Sequence, residues 1–178
     1  MGSWAQAVIF PQKKQPDVAK ITQKSNSYQL ANKVLKASFI NTGGKLYFNG
    51  CSELGLQPDT ELFKVLLGDG STVAASGMKL EDVKIVALGE DPSAATASLR
   101  YAGKALEARF TYGDLSITWR AVLRDGSHYL RTEMDIKAAR DLSMKGIVAM
   151  NYLVAKNSAY TAPEVVGNTR GAILASNH

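Results

Sequence analysis

The sequence predicts an all-β chain folded as an antiparallel β-sandwich, and three observations predict it. From Tyr28 onward, short aromatic- and aliphatic-rich runs recur about every ten residues with Gly-containing turns between them, the spacing of a sandwich. Residues 115–138 alternate apolar and polar side chains through two strands and an intervening turn. No stretch carries the period of a long helix. With 178 residues and 19.1 kDa the chain is one domain, or at most two small ones, and buries a core without a disulfide or a metal clip. A hydrophobic share of 46% and a charged share of 21% rule out a disordered, collagen-like or coiled-coil chain.

The elements follow in order. Residues 1–27 read as a leader or linker, because residues 10–27 mix prolines with polar side chains and lack sustained periodicity; Val8, Ile9 and Phe10 supply one short strand there. Residues 28–178 form the sandwich domain. Residues 39–42 and 45–48 flank Gly43-Gly44 as a hairpin, and residues 62–67 and 71–75 flank Gly68-Asp69-Gly70 as another. Residues 83–88 are a further strand, and Leu106, Ala108, Phe110 and Tyr112 alternate with Glu107, Arg109 and Thr111. Residues 53–56 and 138–142 each suit at most one helical turn.

The clearest strand is 115–123, where Leu115, Ile117, Trp119, Ala121 and Leu123 share one face. Residues 124–127, Arg-Asp-Gly-Ser, reverse the chain, and Leu130, Thr132, Met134, Ile136 and Ala138 continue the apolar face on the return. Two registers fit. If Asp125 and Gly126 alone make the loop, Arg120 faces Arg131, whereas a four-residue loop sets Arg120 opposite Glu133; both keep the same faces. Residues 147–155 are apolar on both faces apart from Asn151, as a central strand covered on both sides requires.

A pI near 9.3 invites a nucleic-acid reading, and the charge distribution argues against it. Residues 1–45 hold seven lysines against one acid, Asp17, a net of +6; the remainder holds 14 bases and 15 acids, a net of −1. The folded body is nearly neutral, so no nucleic-acid partner is expected. No apolar run approaches the roughly 20 residues of a membrane helix, so no membrane span is expected. The start, Met-Gly-Ser-Trp-Ala, lacks the charged and apolar regions of a secretory signal, which leaves a cytoplasmic protein or an exported one lacking its leader.

The residue inventory prunes the chemistry. One cysteine, Cys51, forms no internal disulfide and no thiolate zinc site, and two histidines, His128 and His178, do not make a histidine-ligated metal centre or a catalytic triad. No cofactor is expected. Glu81-Asp82, Glu90-Asp91 and the pair Glu133 with Asp135 lie in loops or on polar strand faces, where solvation is the simplest explanation. Trp119 shares phase with the apolar face and belongs to the core rather than to a sugar-stacking platform. The surface aromatics Tyr47, Tyr101, Tyr112 and Tyr129 remain as glycan-stacking candidates, and Tyr129, His128 and Tyr112 are the predicted ligand-binding residues.

The stretches 103–108, Gly-Lys-Ala-Leu-Glu-Ala, and 117–131, from Ile117-Thr118-Trp119-Arg120 to Tyr129-Leu130-Arg131, carry a resemblance, joined by 163–172 with its Gly167 and Gly171. Over residues 95–175 the chain resembles the galactose-mutarotase-like β-supersandwich domain that precedes the catalytic barrel in endo-α-N-acetylgalactosaminidase-like glycoside hydrolases of bacteria. The resemblance implies the supersandwich, or part of one, from an exported carbohydrate-active protein located in the periplasm or outside the cell. In that family the catalytic acids lie in the barrel, and the chain ends at His178 before one. Either it is an N-terminal fragment of a longer enzyme or the likeness is one of architecture alone. Mutarotases of this class use a histidine and a glutamate; His128 is the one internal histidine, so that activity is not carried over.

The expected function is therefore a non-catalytic β-sandwich domain that supports a neighbouring glycoside hydrolase domain, its partners being that domain and glycan. The alternatives are a glycan-binding module with its own site, or a surface adhesin or structural interaction domain.

Overall fold

The computed structural model describes residues 15–51, 58, 60–96 and 99–149. The chain is all-β with every pairing antiparallel. Its strands are β1 (Lys20–Lys24), β2 (Ser27–Ala31), β3 (Lys36–Thr42), β4 (Lys45–Phe48), β5 (Lys64–Leu67), β6 (Thr72–Ala74), β7 (Lys79–Leu88), β8 (Gly103–Tyr112), β9 (Leu115–Arg124), β10 (Arg131–Ala138) and β11 (Met144–Val148). They form a four-stranded sheet in the order β1-β2-β3-β4, a second in the order β10-β9-β8-β7, and a three-stranded sheet in the order β11-β5-β6. A 3-10 turn lies at Ala75–Gly77.

Alternation builds the core. In the first sheet Tyr28, Leu30, Ala37, Phe39, Leu46 and Phe48 point inward and are buried. In the second, Leu106, Ala108, Phe110, Leu115, Ile117, Trp119, Ala121 and Leu123 do the same, as the period-two pattern of 115–123 predicts. The two faces meet where Phe39 lies edge-on to Trp119, with ring centroids 5.6 Å apart. The third sheet joins the same cluster through Val65 and Val73, and Phe63 stacks edge-on to Phe110 at 5.3 Å. Such aromatic pairs contribute about 0.5–1.5 kcal/mol beyond their buried area.

The turns follow local chemistry. Thr42 pairs with Lys45 across Gly43 and Gly44, whose φ of 59° and 71° are those of a type I′ turn. Gly70, at φ 90°, closes the β5–β6 hairpin, and the Asp69 carboxylate accepts from both the backbone and the hydroxyl of Ser71. A turn at Gly113-Asp114 joins β8 to β9 with Tyr112 opposite Leu115.

Of the two registers at the β9–β10 connection, the structure takes the one that sets Arg120 opposite Glu133. A tight turn still forms at Asp125-Gly126, with Ser127 N–H bonding to Arg124 O at 3.1 Å and Gly126 at φ 71°. Strand pairing resumes only at Val122 and Arg131, and the intervening loop is tied to its surroundings through Asp125. Its carboxylate accepts the Ala19 N–H at 2.7 Å, and its own N–H donates to Ala102 O at 2.8 Å.

Three readings need correction. Lys20–Lys24, inside the stretch read as leader, forms β1 and pairs along its whole length with β2. Residues 138–142 make no helical turn: Ala138 ends β10, residues 139–140 form a bend in which Ala139 N–H bonds to Asp114 O, and the chain then crosses toward the third sheet. The strand expected from residue 147 starts earlier, at Met144, and ends at Val148. Among the described residues it is an edge strand with Ile147 41% exposed, not a doubly covered central one. The readings at 8–10, 53–56 and 150–155 lie outside the described residues.

Candidate functional site

Outward-facing residues of the second sheet form a cross-strand ladder. Register places Lys84 (β7), Glu107 (β8), Arg120 (β9) and Glu133 (β10) side by side in one row. Glu107 is 5% exposed, the one buried charged side chain among the described residues. Lys84 Nζ lies 2.9 Å from one of its carboxylate oxygens, and Arg120 Nε donates to the other at 2.5 Å. Arg131 closes the row by donating to Glu133 at 2.6 Å.

The electrostatics decide what this row can do. Burial pushes the Glu107 carboxyl up, but hydrogen bonds from Lys84 and Arg120 and their positive charge outweigh it, holding the group below its ordinary value of 4.5. A carboxyl kept ionised by two cations is a poor general acid, and each of its oxygens already faces one of them. The row is therefore a neutralised charge ladder. Val122 and Arg131, paired in the next row on this face, start the floor of a concavity of about 280 Å³ that Arg124, Ser127, Tyr129 and Leu130 also line.

The predicted ligand residues divide between two places. Tyr129 is 65% exposed and lines that concavity, with His128 half-buried beside it in the same connection. Tyr101 is exposed at the same end, and its carbonyl accepts from Arg124 at 2.7 Å. Tyr112 sits at the other end of the sheet, at the β8–β9 turn, so the length of β9 separates it from Tyr129 by about 30 Å. Tyr112 and Tyr129 do not share a site. Tyr47 lies on β4 in the first sheet.

The carboxylate pairs are engaged as solvated groups. Glu81 accepts from Thr111 and pairs with Lys79, which together hold its carboxyl below the usual value, while Asp82 faces Arg109. Asp91 caps Ser93, and Asp135 lies near Lys137. Among the described residues no group of three or more His, Cys, Asp or Glu side chains is placed to hold a metal, and no helix is long and apolar enough to cross a membrane.

Sequence reasoning missed the Glu107–Arg120 pair. Its signal was present: with Gly113-Asp114 as a two-residue turn, counting back along both strands brings Glu107 opposite Arg120. No protein-family model, no curated protein and no solved structure matches the chain.

Proposed function

We propose that this chain is a non-catalytic β-sandwich domain, of the galactose-mutarotase-like supersandwich type, from an exported carbohydrate-active bacterial protein, and that it supports a neighbouring glycoside hydrolase domain. One observation carries the reading. The resembling residues 103–108 and 117–131 occupy β8, β9 and the connection into β10, and the side chains they send inward build a packed core around Trp119 rather than a cleft. The carboxylate they send outward, Glu107, is held ionised by Lys84 and Arg120. A domain so arranged offers a rigid surface to a partner and no proton donor to a glycosidic bond.

The test is incubation of the full chain with a mucin-type O-glycoprotein. No release of the Gal-GalNAc disaccharide is expected; release that tracks with the purified chain overturns the non-catalytic part.

A further inference from the structure

Four lysines of the N-terminal third, Lys20, Lys24, Lys36 and Lys45, collect on one face of the fold. In the first sheet the inward positions belong to Ile21, Leu30, Phe39 and their neighbours, so alternation turns Lys20 and Lys24 of β1, Lys36 of β3 and Lys45 of β4 outward together. All four are exposed, none is in an ion pair among the described residues, and β1 to β4 contain no Asp or Glu. Lys20 and Lys24 stand about 13 Å apart along β1, and Lys36 lies about 10 Å from Lys20 across the sheet, spacings near one Debye length at physiological salt.

Between the lysines lies a row of neutral hydrogen-bonding groups. Thr22, Gln29 and Ser38 are cross-strand neighbours. Beside them the chain bulges, since Asn49 N–H donates to Ser38 O while Ser38 N–H donates to Gly50 O, so two residues oppose one and Asn49 is brought to the row. With Lys24 and Ser27 these four line a depression of about 170 Å³, below the roughly 300–1,000 Å³ of drug-sized sites and suited to a single ring. No side chain of Thr22, Ser27, Gln29, Ser38 or Asn49 makes a hydrogen bond among the described residues, so hydroxyls and carboxamides, each able to donate and accept, are left for a ligand. Tyr47 stands on the same face, in the row of Lys24, Ser27 and Ile40.

We infer that this face binds an acidic glycan, the groove holding one sugar ring by its hydroxyls and the lysines meeting sulfate or carboxylate groups on the flanking sugars. A neutral sugar leaves the lysines unused. A nucleic acid fits less well, because the face carries no arginine and a single aromatic ring where base stacking calls for several. The inference goes beyond the supporting role proposed above and does not depend on it.

The experiment titrates the full chain at low salt with chondroitin sulfate, hyaluronan and an oligothymidylate of equal charge, following side-chain amide resonances by NMR. Saturable shifts of Gln29 and Asn49 with one or both glycans are expected, sulfate and carboxylate being distinguished by which binds. Lys24→Gln and Lys36→Gln should each weaken binding about two- to fivefold, as loss of an exposed ion pair does, with the fold unchanged by circular dichroism. Tyr47→Ala should weaken it further. No saturable glycan binding overturns the inference, as do shifts confined to the Tyr129 end or oligothymidylate binding as tightly as the glycans. None of these outcomes bears on O-glycan release.

Discussion

Phe39 and Trp119 come from different sheets and meet edge to face, with centroids 5.6 Å apart and ring planes at 69°. Both are fully buried, and Phe39 also stacks on Phe48. Phe39 is thus the hinge between two aromatic contacts. Phe39→Ala should cost about 3–5 kcal/mol through lost burial and the cavity left behind, and Phe39→Leu markedly less. Urea titrations of the two variants check the ordering.

The second sheet is tied to the first by a residue in its own turn. Asp125 accepts from the Ala19 N–H, 106 positions away, while Asn32 donates to Ser127 O at 2.7 Å and Gly126 N–H bonds to Asp17 O at 3.1 Å. Asp125→Ala orphans the part-buried Ala19 N–H and should cost about 1–3 kcal/mol. Hydrogen exchange should speed up first at the amides of Ala19 and Gly126.

Glu107 links stability to pH. Its folded value lies below 4.5, so the stabilisation it contributes is fully present above about pH 4.5 and is lost as pH falls through the folded value. Glu107→Gln should cost about 1–3 kcal/mol at pH 7 through the loss of its charge-assisted bonds to Lys84 and Arg120. Below the folded value the deficit should shrink, because the wild-type side chain is then neutral as well. Denaturant melts of both proteins across this range provide the check.

Two glycines separate backbone strain from collision. A Cβ at Gly44 meets nothing within 4 Å, but its φ of 71° disfavours any other residue, so Gly44→Ala should cost about 1–2 kcal/mol. A Cβ at Gly103 meets Leu123 O at 2.5 Å and Arg124 Cα at 2.9 Å, which are backbone atoms of the central strand and cannot swing aside. Gly103→Ala should therefore be the more damaging of the two in thermal melts.

What the sequence made legible follows from how each element earns its burial. β9 reads clearly because five alternate positions are apolar and all five are buried. β1 does not, because Lys-Ile-Thr-Gln-Lys offers one apolar side chain, and its strand identity comes from pairing with β2 rather than from its own pattern. The same oversight hid the lysine face, which exists only once β1 to β4 lie side by side. Glu107 reads as an ordinary polar-face residue, since its burial depends on cations contributed by β7 and β9. Tyr129 and Tyr112 were grouped by residue type, and one strand length parts them.

The closed interior is tested most directly by the fluorescence of Trp119 in a Trp4→Phe background. Trp119 is 0% exposed, and its Nε1 has no hydrogen-bond partner among the described residues. Blue-shifted emission that acrylamide barely quenches until the protein unfolds is the predicted result. Red-shifted emission, quenched in the native protein as readily as free indole, contradicts it and reopens the space between the sheets as a cleft.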